Sequence, residues 1–204
     1  MKSRSKGISL VLAGLCLAAS PAAGASKKAC TVGATEAKAE AARFLASSNY
    51  TEIAWCPEAV PILIGMLEDK DLRQSAAAAL RNATYNAASG TWRNDEVQAA
   101  AVPHLAAIAA ATKRLAASKE MTDWGEAIML QDVMGGMGKG AVTYLADGLQ
   151  EASAAVRYGA ATNLSKMGAK AAAALPALRA ALKDEKDKTT AGEIRAAIKA
   201  IEGK

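Results

Sequence analysis

The sequence predicts an all-α fold, a solenoid of about four helical hairpins behind an amino-terminal capping helix. Three observations predict it. Aromatic residues make up only 4% of the 204 residues while alanine dominates, and alanine is the best helix former because it loses no side-chain entropy on folding. An apolar segment recurs four times: "AVPILIGML" from Ala59, "AVPHLAAIA" from Ala101, "AVTYLADGL" from Ala141 and "ALPALRAAL" from Ala174, with starts separated by 42, 40 and 33 residues. Finally, Pro61, Pro103 and Pro176 stand at the fronts of these segments, where a missing amide hydrogen costs no intrahelical bond.

Residues 1–25 read as a cleaved signal peptide. Lys2, Arg4 and Lys6 precede an apolar run from Ile8 to Ala19, and the small residues Ala23, Gly24 and Ala25 place cleavage before Ser26. The run is shorter than the roughly 20 residues of a spanning helix, so no stable membrane span is expected. "LAGLC" is similar to a bacterial lipobox, but Leu15 stands where that box needs a small residue, which argues against lipidation at Cys16. The expected location is therefore periplasmic or secreted. An oxidising compartment would let Cys30 and Cys56, the two cysteines after the signal, form a disulfide, which would stabilise by about 3 kcal/mol; the alternative is two buried thiols.

Residues 26–58 are expected to form a tail and capping helices burying Phe44, Leu45, Ile53 and Trp55, because a stack of hairpins needs atypical ends. Residues 59–204 form the array. Val60, Leu63, Ile64 and Leu67 fall at i, i+3, i+4 and i+7, as do Val142, Leu145, Ala146 and Leu149. A polar turn then leads to a second apolar period at Leu72, Ala76 and Leu80, at Val156, Ala160 and Leu164, and at Ile194, Ile198 and Ile201. The second unit departs from this plan, with a long first helix expected through "AAATKRLAASKE" before "TDWGEAIMLQDVM".

"AVPILIGMLEDKDLRQSAAAALRNA" and "AVTYLADGLQEASAAVRYGAATNLSKMG" resemble units of the HEAT and armadillo type of helical repeat. The resemblance spans about residues 59 to 203 and implies a right-handed α-solenoid, an architecture rather than an activity. It also implies structural roles for Arg73 and Arg157, since a helix arginine and a turn acid commonly bridge neighbouring units in that family. "ALRNATYN" is similar to the armadillo pattern in which an inner-helix asparagine holds an extended peptide, and Asn82 takes that position. After Leu164 the equivalent place falls on Lys166, so no continuous asparagine ladder is expected.

The formal net charge of +5 falls to +2 once the three basic residues of the signal are removed, and bases and acids are interspersed, which argues against nucleic acid. His104 is the single histidine and has neither nucleophile nor carboxylate in register with it. One histidine and two pairing cysteines make no soft-ligand metal site, and no cofactor is expected. Asp123 and Glu126, three apart on a helix, are more cheaply explained as a charged face than as an acid–base pair. "MGGMGKG", residues 134–140, lacks both the first glycine and the final Ser or Thr of a phosphate loop, and reads as an inter-unit turn in which Gly135 and Gly168 end second helices.

The expected function is that of a non-catalytic, monomeric scaffold binding a protein or peptide. The contacts would come from Asn82, from Tyr85, Trp92 and Arg93 in the loop after it, from Trp124, and from Tyr158 and Asn163 on the third unit. For Trp92 the competing reading is a side chain folded back over the apolar edge of a unit. A lyase or isomerase acting on a tetrapyrrole, which the resemblance also allows, and a purely structural envelope component are the alternatives.

Overall fold

The computed structural model describes residues 57–86, 90–92 and 96–203, and the expected signal peptide, almost all of the capping segment, Cys30, Cys56 and Arg93 lie outside them. Among the described residues the fold is all-α apart from one two-residue ladder. The helices are α1 (Ala59–Gly65), α2 (Arg73–Thr84), α3 (Glu96–Ala101), α4 (Leu105–Ala116), α5 (Met121–Gly135), α6 (Val142–Gly148), α7 (Ala154–Met167), α8 (Leu175–Asp184) and α9 (Lys188–Glu202). Four pairs form, α1 with α2, α4 with α5, α6 with α7 and α8 with α9. The second members also pack in series, α2 on α5, α5 on α7 and α7 on α9.

Leu80, Ile108, Leu130, Leu145, Leu164, Leu178 and Ile194 are fully buried along the stack, and Ala59, Ala76, Ala77, Ala83, Ala127, Ala160 and Ala161 have no accessible surface either. The leucines and isoleucines supply the apolar area. The alanines let the helices approach closely enough to exclude water. In α9 the periodic Ile194, Ala197 and Ile201 face the core; the Asp187 side chain accepts from the Thr190 amide at 2.8 Å at one end, and Gly203 stops the helix at φ +72°. Helix α5 is different, with buried residues on most of its circumference, because α4, α2 and α7 all pack against it.

The second unit corrects two expectations. Its first helix ends at Ala116 instead of running to Glu120, since Ser118 turns the chain and Glu120 is extended ahead of α5. In front of it lie α3 and a 3-10 turn, Val102–His104, so Pro103 sits in that turn and His104 precedes α4. Between α2 and α3 the chain makes a small hairpin, Tyr85 opposite Trp92 and Asn86 opposite Thr91, with Gly90 at φ +67°.

The glycine cluster is also corrected. Gly168 has positive φ at the end of α7, but Gly135 does not, and the left-handed residue of its cluster is Gly138, at φ +74°. Gly135 and Gly136 are required by close approach: a Cβ on Gly135 would stand 2.4 Å from the Trp92 ring, and one on Gly136 1.8 Å from the Gln98 amide. In Gly125, on the same helix, a Cβ meets nothing within 4 Å. Gly125→Ala should therefore raise stability by about 0.5–1 kcal/mol through helix propensity, while Gly135→Ala should lower it by about 1–3 kcal/mol through overpacking. Equilibrium denaturation of the two variants checks the opposite signs.

Candidate functional site

The strongest concentration of polar chemistry is the seam where α2, α5 and α7 meet. Arg73 leads α2, and its guanidinium donates to Asp123 and, at 3.0 Å, to Glu126 Oε2 on α5. Two turns further along α2, Arg81 Nε donates to Asp132 Oδ2 at 2.6 Å. The other oxygen of Asp132 accepts from Asn163 Nδ2 on α7 at 3.1 Å, and its backbone carbonyl accepts from Trp92 Nε1 at 2.7 Å. Asp132 thus joins the first, second and third pairs.

Asp123 is 8% exposed and Glu126 4% exposed, so they do not form a solvated face. Their charges are held by Arg73, without which two buried carboxylates would repel each other. Burial pushes the Glu126 carboxyl above its usual range, against the pull of Arg73, and neighbouring Asp123 adds to the rise. Because the carboxyl oxygens of this cluster are engaged by arginine, the arrangement suits cohesion between pairs better than proton transfer to a substrate.

The candidate contact residues separate on this frame. Asn163 is fully buried, its amide donating to Asp132 and to Gly159 O at 2.9 Å, so it offers a partner nothing. Trp92 folds back onto Gly135 with its indole N–H satisfied, which makes it a cover over α5 rather than a projecting anchor. Trp124 is half-buried against the core and donates to Ser118 O at 2.7 Å, fastening the turn ahead of α5. Tyr85 is 6% exposed; its ring lies 6.3 Å from that of Trp92, its hydroxyl accepts from Lys166 Nζ at 2.6 Å, and the Arg81 guanidinium lies 5.2 Å from its centroid. Asn82 is half-buried on α2, and Tyr158, on α7, is 39% exposed.

Sequence reasoning passed over Arg81 and gave Asp132 and Lys166 no partner. A signal existed for Arg81, which repeats Arg73 two turns later, but the partnership of Lys166 with Tyr85 spans 81 residues and leaves no local trace. A cleft of about 440 Å³ borders this node, lined by Trp92, Gly135, Gly136, Lys166 and Lys170 among others.

Arg157 makes a further inter-pair bridge. It reaches Glu185, in the turn between α8 and α9, through two bonds of 2.7 and 2.8 Å, and its remaining nitrogen donates to the carbonyls of Glu151 and Ala152. That bidentate contact holds the Glu185 carboxyl down at about 2, from an ordinary 4.5, with smaller help from backbone amides. The stabilisation is therefore complete above pH 4.5 and is lost as pH falls through 2. Glu185→Gln should cost about 2–3 kcal/mol at pH 7, and the gap from the parent should close between those two values; denaturant titrations across that range test it.

Compared with known proteins, the chain matches no family model and no curated protein. Among solved structures it is similar to an engineered protein from the Northeast Structural Genomics Consortium, at 20% identity over 83% of this chain and 90% of that chain, with a TM-score of 0.37. A likeness that distant carries no argument about fold or function.

Proposed function

We propose that the chain is an exported, non-catalytic scaffold, a right-handed α-solenoid of the HEAT or armadillo type that holds a protein partner on the face of its second helices. The observation that carries this reading is the serial packing of α2, α5, α7 and α9, which leaves one side of α7 and of α9 to solvent. On that side Ala155, Tyr158 and Lys166 are exposed along α7, and Gly192, Arg195 and Lys199 along α9. A tyrosine among small residues supplies contact area at low entropic cost, and the basic residues favour a partner with acidic groups.

The acidic side chains that would otherwise suggest chemistry support the same reading, since Asp123, Glu126, Asp132 and Glu185 are each bound to arginine. Binding by shape and charge needs no reactive group. A photo-crosslinking amino acid in place of Tyr158, in protein expressed in its native compartment, should give one dominant adduct that excess unlabelled protein displaces. The same probe in place of Arg179, exposed on α8, should not. Equal labelling at both positions would remove the reading.

A further inference from the structure

A second cleft opens between α4 and α6, with a volume of about 250 Å³. One wall is formed by Ala106 and Ala110 of α4, both exposed, and the floor by Val156 and Gln131. Gln131 is 1% exposed; its Nε2 donates to Val156 O at 3.2 Å and its Oε1 has no donor. The opposite wall carries Tyr144, 38% exposed, then Asp147 one turn on and Glu151 just past the end of α6.

The charges in this cleft do not balance. Neither Asp147 nor Glu151 has an ion pair among the described residues, and Lys113 on the α4 wall is the single cation lining this cleft, Arg157 and Lys186 lining the adjoining one that Glu151 also borders. Burial pushes the Glu151 carboxyl up, Lys113 opposes that, and Asp147 adds to it. One further positive charge would make the count equal. The volume falls below the roughly 300 Å³ at which pockets begin to enclose a whole small ligand, so it suits a side chain presented by another molecule. The small side chains of Ala106, Ala109 and Ala110 along α4 leave room for a straight hydrocarbon stem.

We propose that this cleft receives a lysine side chain of a protein partner, its stem on the Ala106 and Ala110 wall and its ammonium between Asp147 and Glu151. The proposal rests on the protein-binding reading but uses a different face, so the two can fail separately. The probe is the blocked peptide acetyl-Gly-Lys-Gly-amide, titrated into isotope-labelled full-length chain and followed by NMR. The Gln131 side-chain amide and the backbone amides of Asp147 and Glu151 should shift and saturate, with Kd on the order of 1 mM for so small a ligand.

Glu151→Gln should weaken binding about tenfold, as expected for loss of a charge-assisted contact. Ala110→Leu, at an exposed position, should fill the cleft and abolish saturation with an unchanged Tm. The peptide with norleucine in place of lysine should give no saturable shift. Butylamine binding while the peptide does not would overturn the partner assignment in favour of a free amine. Binding of the lysine peptide that survives Ala110→Leu, or no saturable shift in the parent chain, would overturn the cleft itself, whatever the crosslinking at Tyr158 gives.

Discussion

Replacing Arg73 by methionine should lower the stability of the folded chain by about 3–5 kcal/mol at pH 7, the cost of stranding buried charge. The guanidinium is the counter-charge for both Asp123 and Glu126, whose side chains are only 12% and 6% exposed. Methionine fills similar space, so packing is largely kept and the loss is electrostatic. A pH series separates this from a packing defect. Glu126 already has a raised carboxyl in the parent, and removing Arg73 takes away the influence that holds it down, so the folded variant binds protons more readily than its unfolded chain. The variant should therefore recover stability relative to the parent as pH falls below neutral, the reverse of the Glu185 behaviour. Adding Asp123→Asn and Glu126→Gln should restore most of the loss at pH 7, measured by urea denaturation.

Trp92→Ala should cost about 2–4 kcal/mol, less than a fully buried tryptophan because the ring is only half covered. With about 2–4 °C per kcal/mol for a chain of this size, Tm should drop by about 5–12 °C. The lost contacts are the indole hydrogen bond to Asp132 O and the ring's seat on Gly135. That seat gives a second measurement. In the parent, Gly135→Ala collides with the ring; in the Trp92→Ala background only the contact with Asn163 Oδ1, at 2.9 Å, remains, and the cost of the substitution should shrink. A double-mutant cycle between the two should show strong coupling. Unchanged stability with loss of partner capture would return Trp92 to the role of a projecting anchor.

Much of the helical pairing was legible because it is periodic. The stripes at Val60, Leu63 and Ile64, at Val142 and Leu145, and at Ile194 and Ile201 lie in the core as their spacing requires. The site was legible only where partners sit close in sequence or follow a known pattern, as with Arg157 and the acid of the next turn. Trp92 and Gly135 were each visible as unusual residues, but their meeting is a tertiary fact between two segments that carry no shared signal. Asn163 misled because a polar residue on a helix looks available until its neighbours are known. Arg81 and Asp132 come into partnership only when α2 and α5 stack.

The tie between Tyr85 and Lys166 alters how order is shared along the chain. In a row of helical pairs each touching only the next, opening one pair releases only its neighbours, and the loss of structure can spread stepwise from either end. Here the hairpin after the first pair holds the third directly, and Asp132 is held from both sides. A next-nearest-neighbour coupling of this kind penalises every partly opened state in which one of the three has left the others. The first three pairs should then melt as a single block, to which α9 is fastened through its packing on α7 and through the Arg157 bridge.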